Sequence, residues 1–130
     1  AHYDAMDATG VHGTAWEYST STEIWNAEEL SVAAADGAEL PVAQALIRPF
    51  ARAIAGAEIS AAFDAGAKTF TLAFAPTSSS VVSEISVPAR AYPAGYDVTV
   101  SGACTDASQP GRLLLRASGS DPVSLTIRAR

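Results

Sequence analysis

Trp16 and Tyr18 flank Glu17, and Trp25 follows in the same stretch of chain. Aromatic rings bury a large apolar surface while keeping a polar handle, and they suit the apolar faces of sugar rings. A carboxylate between two such rings could face a cleft. Two aromatics at i and i+2 on a strand are more often core than ligand contact, so the residues by themselves leave both uses open. Glycosidic bond hydrolysis needs two carboxylates facing each other, roughly 5 to 9.5 Å apart. Glu17 has no evident partner for that role. Glu28 and Glu29 are adjacent, point in different directions on any regular element, and read as a solvated loop or helix turn.

Other chemistries find less support. His2 and His12 lack a close ligand spacing such as His-x-His, so no metal site is expected. There is no Gly-x-Ser-x-Gly elbow, and Gly10-Val11-His12-Gly13 is too short to cradle a phosphate. Cys104 stands in Cys104-Thr105-Asp106, which reads as a polar turn; no His or Lys adjoins it, so an inert thiol is expected. A single cysteine also excludes an internal disulfide framework. No cofactor is implied, and no catalytic set assembles.

The elements that must position the aromatics follow from local pattern. Residues 1–8 read as the last turns of a helix with Tyr3, Met6 and Val11 on its apolar side, ended by Gly10. Thr14 to Ser19 reads as a short strand with Trp16 and Tyr18 on one face. Residues 20–39 read as a polar loop, with one helical possibility at 27–30. Pro41 can open a second helix over 42–47, which Arg48-Pro49 ends because a residue before proline avoids helical angles. Helix, strand, loop and helix make one and a half units of an α/β repeat, not a domain. The strand's edges and those apolar side chains need a partner surface.

Beyond Gly56 the period becomes two. Phe70, Leu72 and Phe74 alternate with Thr69, Thr71 and Ala73; Ile85 and Val87, Val98 and Val100, and Val123, Leu125 and Ile127 continue the pattern. Ile59 to Phe63 reads as the opening strand and Leu113 to Leu115 as a buried one. Six or so short strands between turn residues imply a small antiparallel β-sandwich. Charge divides at the same place. Residues 1–56 carry eight acids against Arg48 and Arg52, whereas residues 57–130 carry six of each sign. The net −6 of the 130-residue chain argues against nucleic acid or an anionic membrane surface as partner. No apolar run approaches the ~18–20 residues of a membrane span, and no basic region followed by an apolar stretch marks a secretory signal.

Three strings are more specific. Trp16-Glu17-Tyr18-Ser19 leads to Trp25-Asn26-Ala27-Glu28-Glu29-Leu30-Ser31. A junction follows, Arg48-Pro49-Phe50-Ala51-Arg52-Ala53-Ile54-Ala55-Gly56. Val87-Pro88-Ala89-Arg90 then runs into Tyr92-Pro93-Ala94-Gly95-Tyr96. Together they resemble the carboxy-terminal portion of endoglycoceramidase-type enzymes of glycoside hydrolase family 5, over nearly the whole chain.

The resemblance implies a mostly β fold: the final βα unit of a (β/α)8 barrel in residues 1–56, then a C-terminal antiparallel β-sandwich in residues 57–130. It implies a secreted, retaining hydrolase that cleaves the oligosaccharide–ceramide bond through a covalent glycosyl-enzyme intermediate. It assigns Trp16 to sugar stacking, with Glu17, Tyr18 and Trp25 as substrate-binding neighbours. A complete barrel takes about 250 residues. Both catalytic glutamates of the family would precede Ala1, so the chain alone is expected to be inactive. Its partners would be the N-terminal part of the same precursor and, through the complete enzyme, a glycolipid or oligosaccharide. An alternative is a stand-alone accessory module that binds carbohydrate or lipid.

Overall fold

The computed structural model describes residues 2–11, 13–21 and 31–130. They fall into two compact units, residues 1–12 with 48–130, and residues 13–47.

The first unit is the antiparallel sandwich that the period of two implies, with eight strands. They are β1 (Phe50–Ala53), β2 (Gly56–Asp64), β3 (Thr69–Pro76), β4 (Val82–Ser86), β5 (Tyr96–Ser101), β6 (Ala103–Asp106), β7 (Arg112–Ala117) and β8 (Val123–Ala129). One sheet runs β1-β4-β7-β6 and the other β2-β3-β8-β5. Alternation dictates the interior. Phe70, Leu72 and Phe74 of β3 lie opposite Ile127, Leu125 and Val123 of β8, and all six are buried. Ile85, Leu113 and Leu115 close the core from the other sheet. Each such side chain stabilises the fold by about 1.5–3 kcal/mol through burial.

Two strands escape the pattern. Cys104-Thr105-Asp106 is no polar turn but most of β6, an edge strand that pairs with β7 and turns those three residues to solvent. An edge with no buried face shows no hydrophobic alternation. β1 precedes the expected opening strand and is only four residues long. Between β5 and β6, Gly102 adopts φ +78°, and a Cβ there would meet Pro122 O at 2.6 Å. Only glycine suits that turn.

Helix α1 (His2–Thr9) belongs to this unit. Gly10 ends it at φ +66°, with Val11 N–H donating to Met6 O at 3.0 Å and Gly10 N–H to Asp7 O at 3.3 Å, the paired bonds of a Schellman close. No α1 residue is fully buried, so packing alone holds it weakly. Arg48 supplies the rest. Its guanidinium pairs with Asp7, lies 3.5 Å from Asp4, and sits 5.5 Å from the ring centres of both Tyr3 and Phe63.

The second unit departs from expectation twice. Residues 41–46 form a 3₁₀ helix rather than an α-helix, with Ala43 N–H bonded to Leu40 O at 2.9 Å and Ile47 N–H to Gln44 O at 3.2 Å. Six residues ahead of an Arg-Pro stop leave too little length for α-helical propagation. Thr14 to Ser19 forms no strand. A strand is defined by its ladder, and a single backbone bond, from Val32 N–H to Glu17 O at 2.8 Å, crosses between residues 14–19 and 31–40. The helical possibility at 27–30 lies outside the described residues.

Candidate carbohydrate-contacting segment

The second unit presents Trp16 and Tyr18 to solvent, at 74% and 65% exposure. Neither ring is buried among the described residues. Glu17 between them is half-buried, and the Trp16–Glu17 peptide is cis. Trp25 lies outside the described residues.

Backbone position here is fixed by a residue that the sequence did not single out. Ser31 is 8% exposed. Its Oγ lies 2.6 Å from Ser19 O and 2.9 Å from Ala33 O, and accepts the N–H groups of Ala33 at 3.1 Å and Ser19 at 3.3 Å. One buried hydroxyl therefore joins the segment after Tyr18 to residues 31–33. With Val32 N–H on Glu17 O, it clamps the chain on the C-terminal side of Trp16. Leu40 N–H on Val32 O and the Ala33–Glu39 bridge brace the far side. A small hydroxyl in a Ser-rich sequence gives no signal of such a role; it emerges only when two distant segments meet.

This surface offers two exposed rings and one half-buried carboxylate. An exposed indole and phenol can stack on sugar faces, and the carboxylate between them can accept hydroxyl hydrogen bonds. Double displacement at an anomeric carbon requires two carboxylates, and residues 13–21 carry only Glu17. Among the described residues, no three His, Cys, Asp or Glu side chains group to hold a metal ion. Cys104 is exposed on β6, in the other unit. Tyr92 is 4% exposed and packs 5.4 Å from Tyr96, so it adds no sugar platform. Burial, aided by Tyr96, pushes its phenol up to about 12.

Residues 48–128 match the glycoside hydrolase family 5 C-terminal domain. The whole fold is similar to endo-glycoceramidase II from Rhodococcus sp. in a cellobiose-like imidazole complex, with TM-score 0.71 and 23% identity over 99% of this chain and 28% of that one. Its lactosyl-enzyme intermediate gives TM-score 0.60 and 25% identity over 77% and 23% of the two chains. Its ganglioside GM3 complex gives 0.59 and 24% over 77% and 22%. The chain thus spans under a third of the length of these solved structures. No curated protein sequence matches it.

Proposed function

The chain belongs to the family of glycoside hydrolase family 5 C-terminal domains, and from that membership we propose that it is the carboxy-terminal portion of a secreted, retaining glycosidase acting on the oligosaccharide–ceramide bond of glycosphingolipids. One observation carries this reading. The likeness to endo-glycoceramidase II covers 99% of the chain, and so takes in the Trp16 segment as well as the sandwich. That enzyme's lactosyl-enzyme intermediate supports a retaining course, and its ganglioside complex supports a glycolipid substrate.

In this reading, the chain through residue 56 is the end of a catalytic barrel, and the sandwich of residues 57–130 supports it. Trp16 stacks on a sugar ring, and Glu17, Tyr18 and Trp25 line the same cleft. The rest of the precursor supplies the acid/base and nucleophilic glutamates, and the reaction calls on no cofactor.

The test is to incubate the complete gene product with lactosylceramide in detergent micelles and analyse both products. The expected outcome is lactose with retained anomeric configuration together with intact ceramide, and no turnover by the 130-residue chain alone. Release of a fatty acid, of single sugars only, or of an inverted product would contradict the proposal.

A further inference from the structure

The net charge of the chain sits wholly on one of its two units. Residues 1–12 and 48–130 balance eight Asp and Glu with eight Lys and Arg. Residues 13–47 hold six acids, Glu17, Glu23, Glu28, Glu29, Asp36 and Glu39, and no Lys, Arg or His. The unit that presents Trp16 and Tyr18 to solvent therefore carries all of the net −6. Val32 N–H on Glu17 O and Ser31 Oγ against Ser19 O fasten residues 31–33 beside residues 17–19. From there the chain turns back through the Ala33–Glu39 bridge, with Asp36 exposed at the turn and its Oδ1 accepting Ala38 N–H at 3.0 Å.

We infer that this acidic unit makes the hydrolase favour uncharged oligosaccharide headgroups and penalise anionic ones, those bearing sialic acid or a sulfate ester. The inference rests on the function proposed above and narrows its substrate class. The site is that of Trp16; the charge decides what it admits. Stacking on an indole is indifferent to a sugar's charge, since it uses the apolar face of the ring. The carboxylates are not. An ionised carboxylate only accepts hydrogen bonds, so Glu17 can receive a sugar hydroxyl but has nothing to receive from a carboxylate or a sulfate. Like charges repel, and a half-buried group such as Glu17 is screened by salt less than an exposed one. A surface of one sign also acts at longer range, changing association rates by about 10- to 1,000-fold at low ionic strength. No cationic side chain of this unit offsets that field.

Three glycolipids in uncharged detergent micelles test this on the complete gene product. Lactosylceramide and globotriaosylceramide are neutral, whereas ganglioside GM3 is lactosylceramide extended by one sialic acid and matches globotriaosylceramide in number of sugars. At about 0.01 M salt, where the Debye length is about 30 Å, kcat/KM for GM3 should lie on the order of tenfold below that for globotriaosylceramide. At about 1 M, where that length is about 3 Å, the gap should close. Asp36→Asn combined with Glu39→Gln should narrow the low-salt gap and leave lactosylceramide turnover unchanged, which ties the effect to this unit. Both positions are exposed, and an amide oxygen can still accept Ala38 N–H, so the fold is kept. GM3 cleaved as fast as globotriaosylceramide at low salt would overturn the inference and leave the hydrolase reading standing. So would a gap that salt leaves unchanged, or one that the double substitution leaves untouched. No cleavage of any of the three lipids would overturn both.

Discussion

Arg112 of β7 grips Glu84 of β4 with two parallel bonds, Nε to Oε1 at 2.9 Å and Nη2 to Oε2 at 2.7 Å. Arg52 of β1 adds a third at 2.8 Å to Oε1, so one carboxylate ties three neighbouring strands of a sheet. Bidentate pairing with arginine gives orientation as well as charge.

This carboxylate should make the sandwich acid-sensitive. Hydrogen bonding from Arg112, followed by the charges of Arg112 and Arg52, holds Glu84 below the usual 4.5. A depressed folded value contributes stability above the unfolded value, and that stability disappears as pH falls through the folded one. The denaturation midpoint of the wild-type chain should therefore drop between about pH 5 and 3 more steeply than that of Glu84→Gln. Parallel profiles would show that the cluster contributes nothing to folding.

Arg48 should control helix α1. Its side chain is 11% exposed and that of Asp7 17%, so removing one partner leaves the other nearly buried and uncompensated. Arg48→Met should cost roughly 3–5 kcal/mol, the range for breaking a buried pair. It should also accelerate hydrogen exchange over residues 2–11. Exchange accelerating only in the strands would place the residue's role elsewhere.

Gly102 offers a backbone test. With φ +78° and a Cβ position 2.6 Å from Pro122 O, Gly102→Ala faces both conformational strain and a backbone collision. The expected loss exceeds about 1 kcal/mol in urea unfolding. Gly119, whose Cβ would meet nothing within 4 Å, is the control and should tolerate alanine within about 0.5 kcal/mol.

What could be read in the sequence was what burial writes into it. Phe70, Leu72 and Phe74, and Val123, Leu125 and Ile127, each place one face in the core, so their period of two is visible directly. Gly10 as a helix stop and Pro49 as a boundary were legible for stereochemical reasons. β6 was not, because Cys104, Thr105 and Asp106 bury nothing. Nor was β1, where Arg52 earns its place through Glu84, thirty-two positions away in sequence. The Arg-Pro-Phe-Ala-Arg junction that carries the resemblance contains Arg48 and Arg52, two of the arginines that make ionic contacts, but their partners became known only in three dimensions. For the candidate site, the aromatics Trp16 and Tyr18 were legible by type. Their exposure and the Ser31 clamp were not, since both depend on how residues 31–33 return to the segment.

The Ser31 clamp should matter for the position of Trp16 rather than for global stability. Ser31→Ala removes an acceptor of two N–H groups in a buried setting, at a cost of about 1–3 kcal/mol, and leaves the core strands untouched. In the complete gene product it should raise KM for lactosylceramide with the sandwich's exchange pattern unchanged. A wild-type KM in the variant would detach the clamp from the cleft.

The most direct measurement is turnover of lactosylceramide by Trp16→Ala in the complete gene product, alongside its unfolding curve. An indole 74% exposed should cost folding less than about 0.5 kcal/mol when truncated. A sugar-stacking indole should cost kcat/KM about a hundredfold, equivalent to roughly 2.7 kcal/mol of transition-state stabilisation, with Trp16→Phe recovering part of it. Wild-type turnover by a folded Trp16→Ala enzyme would contradict the assignment of this chain to the sugar-binding cleft.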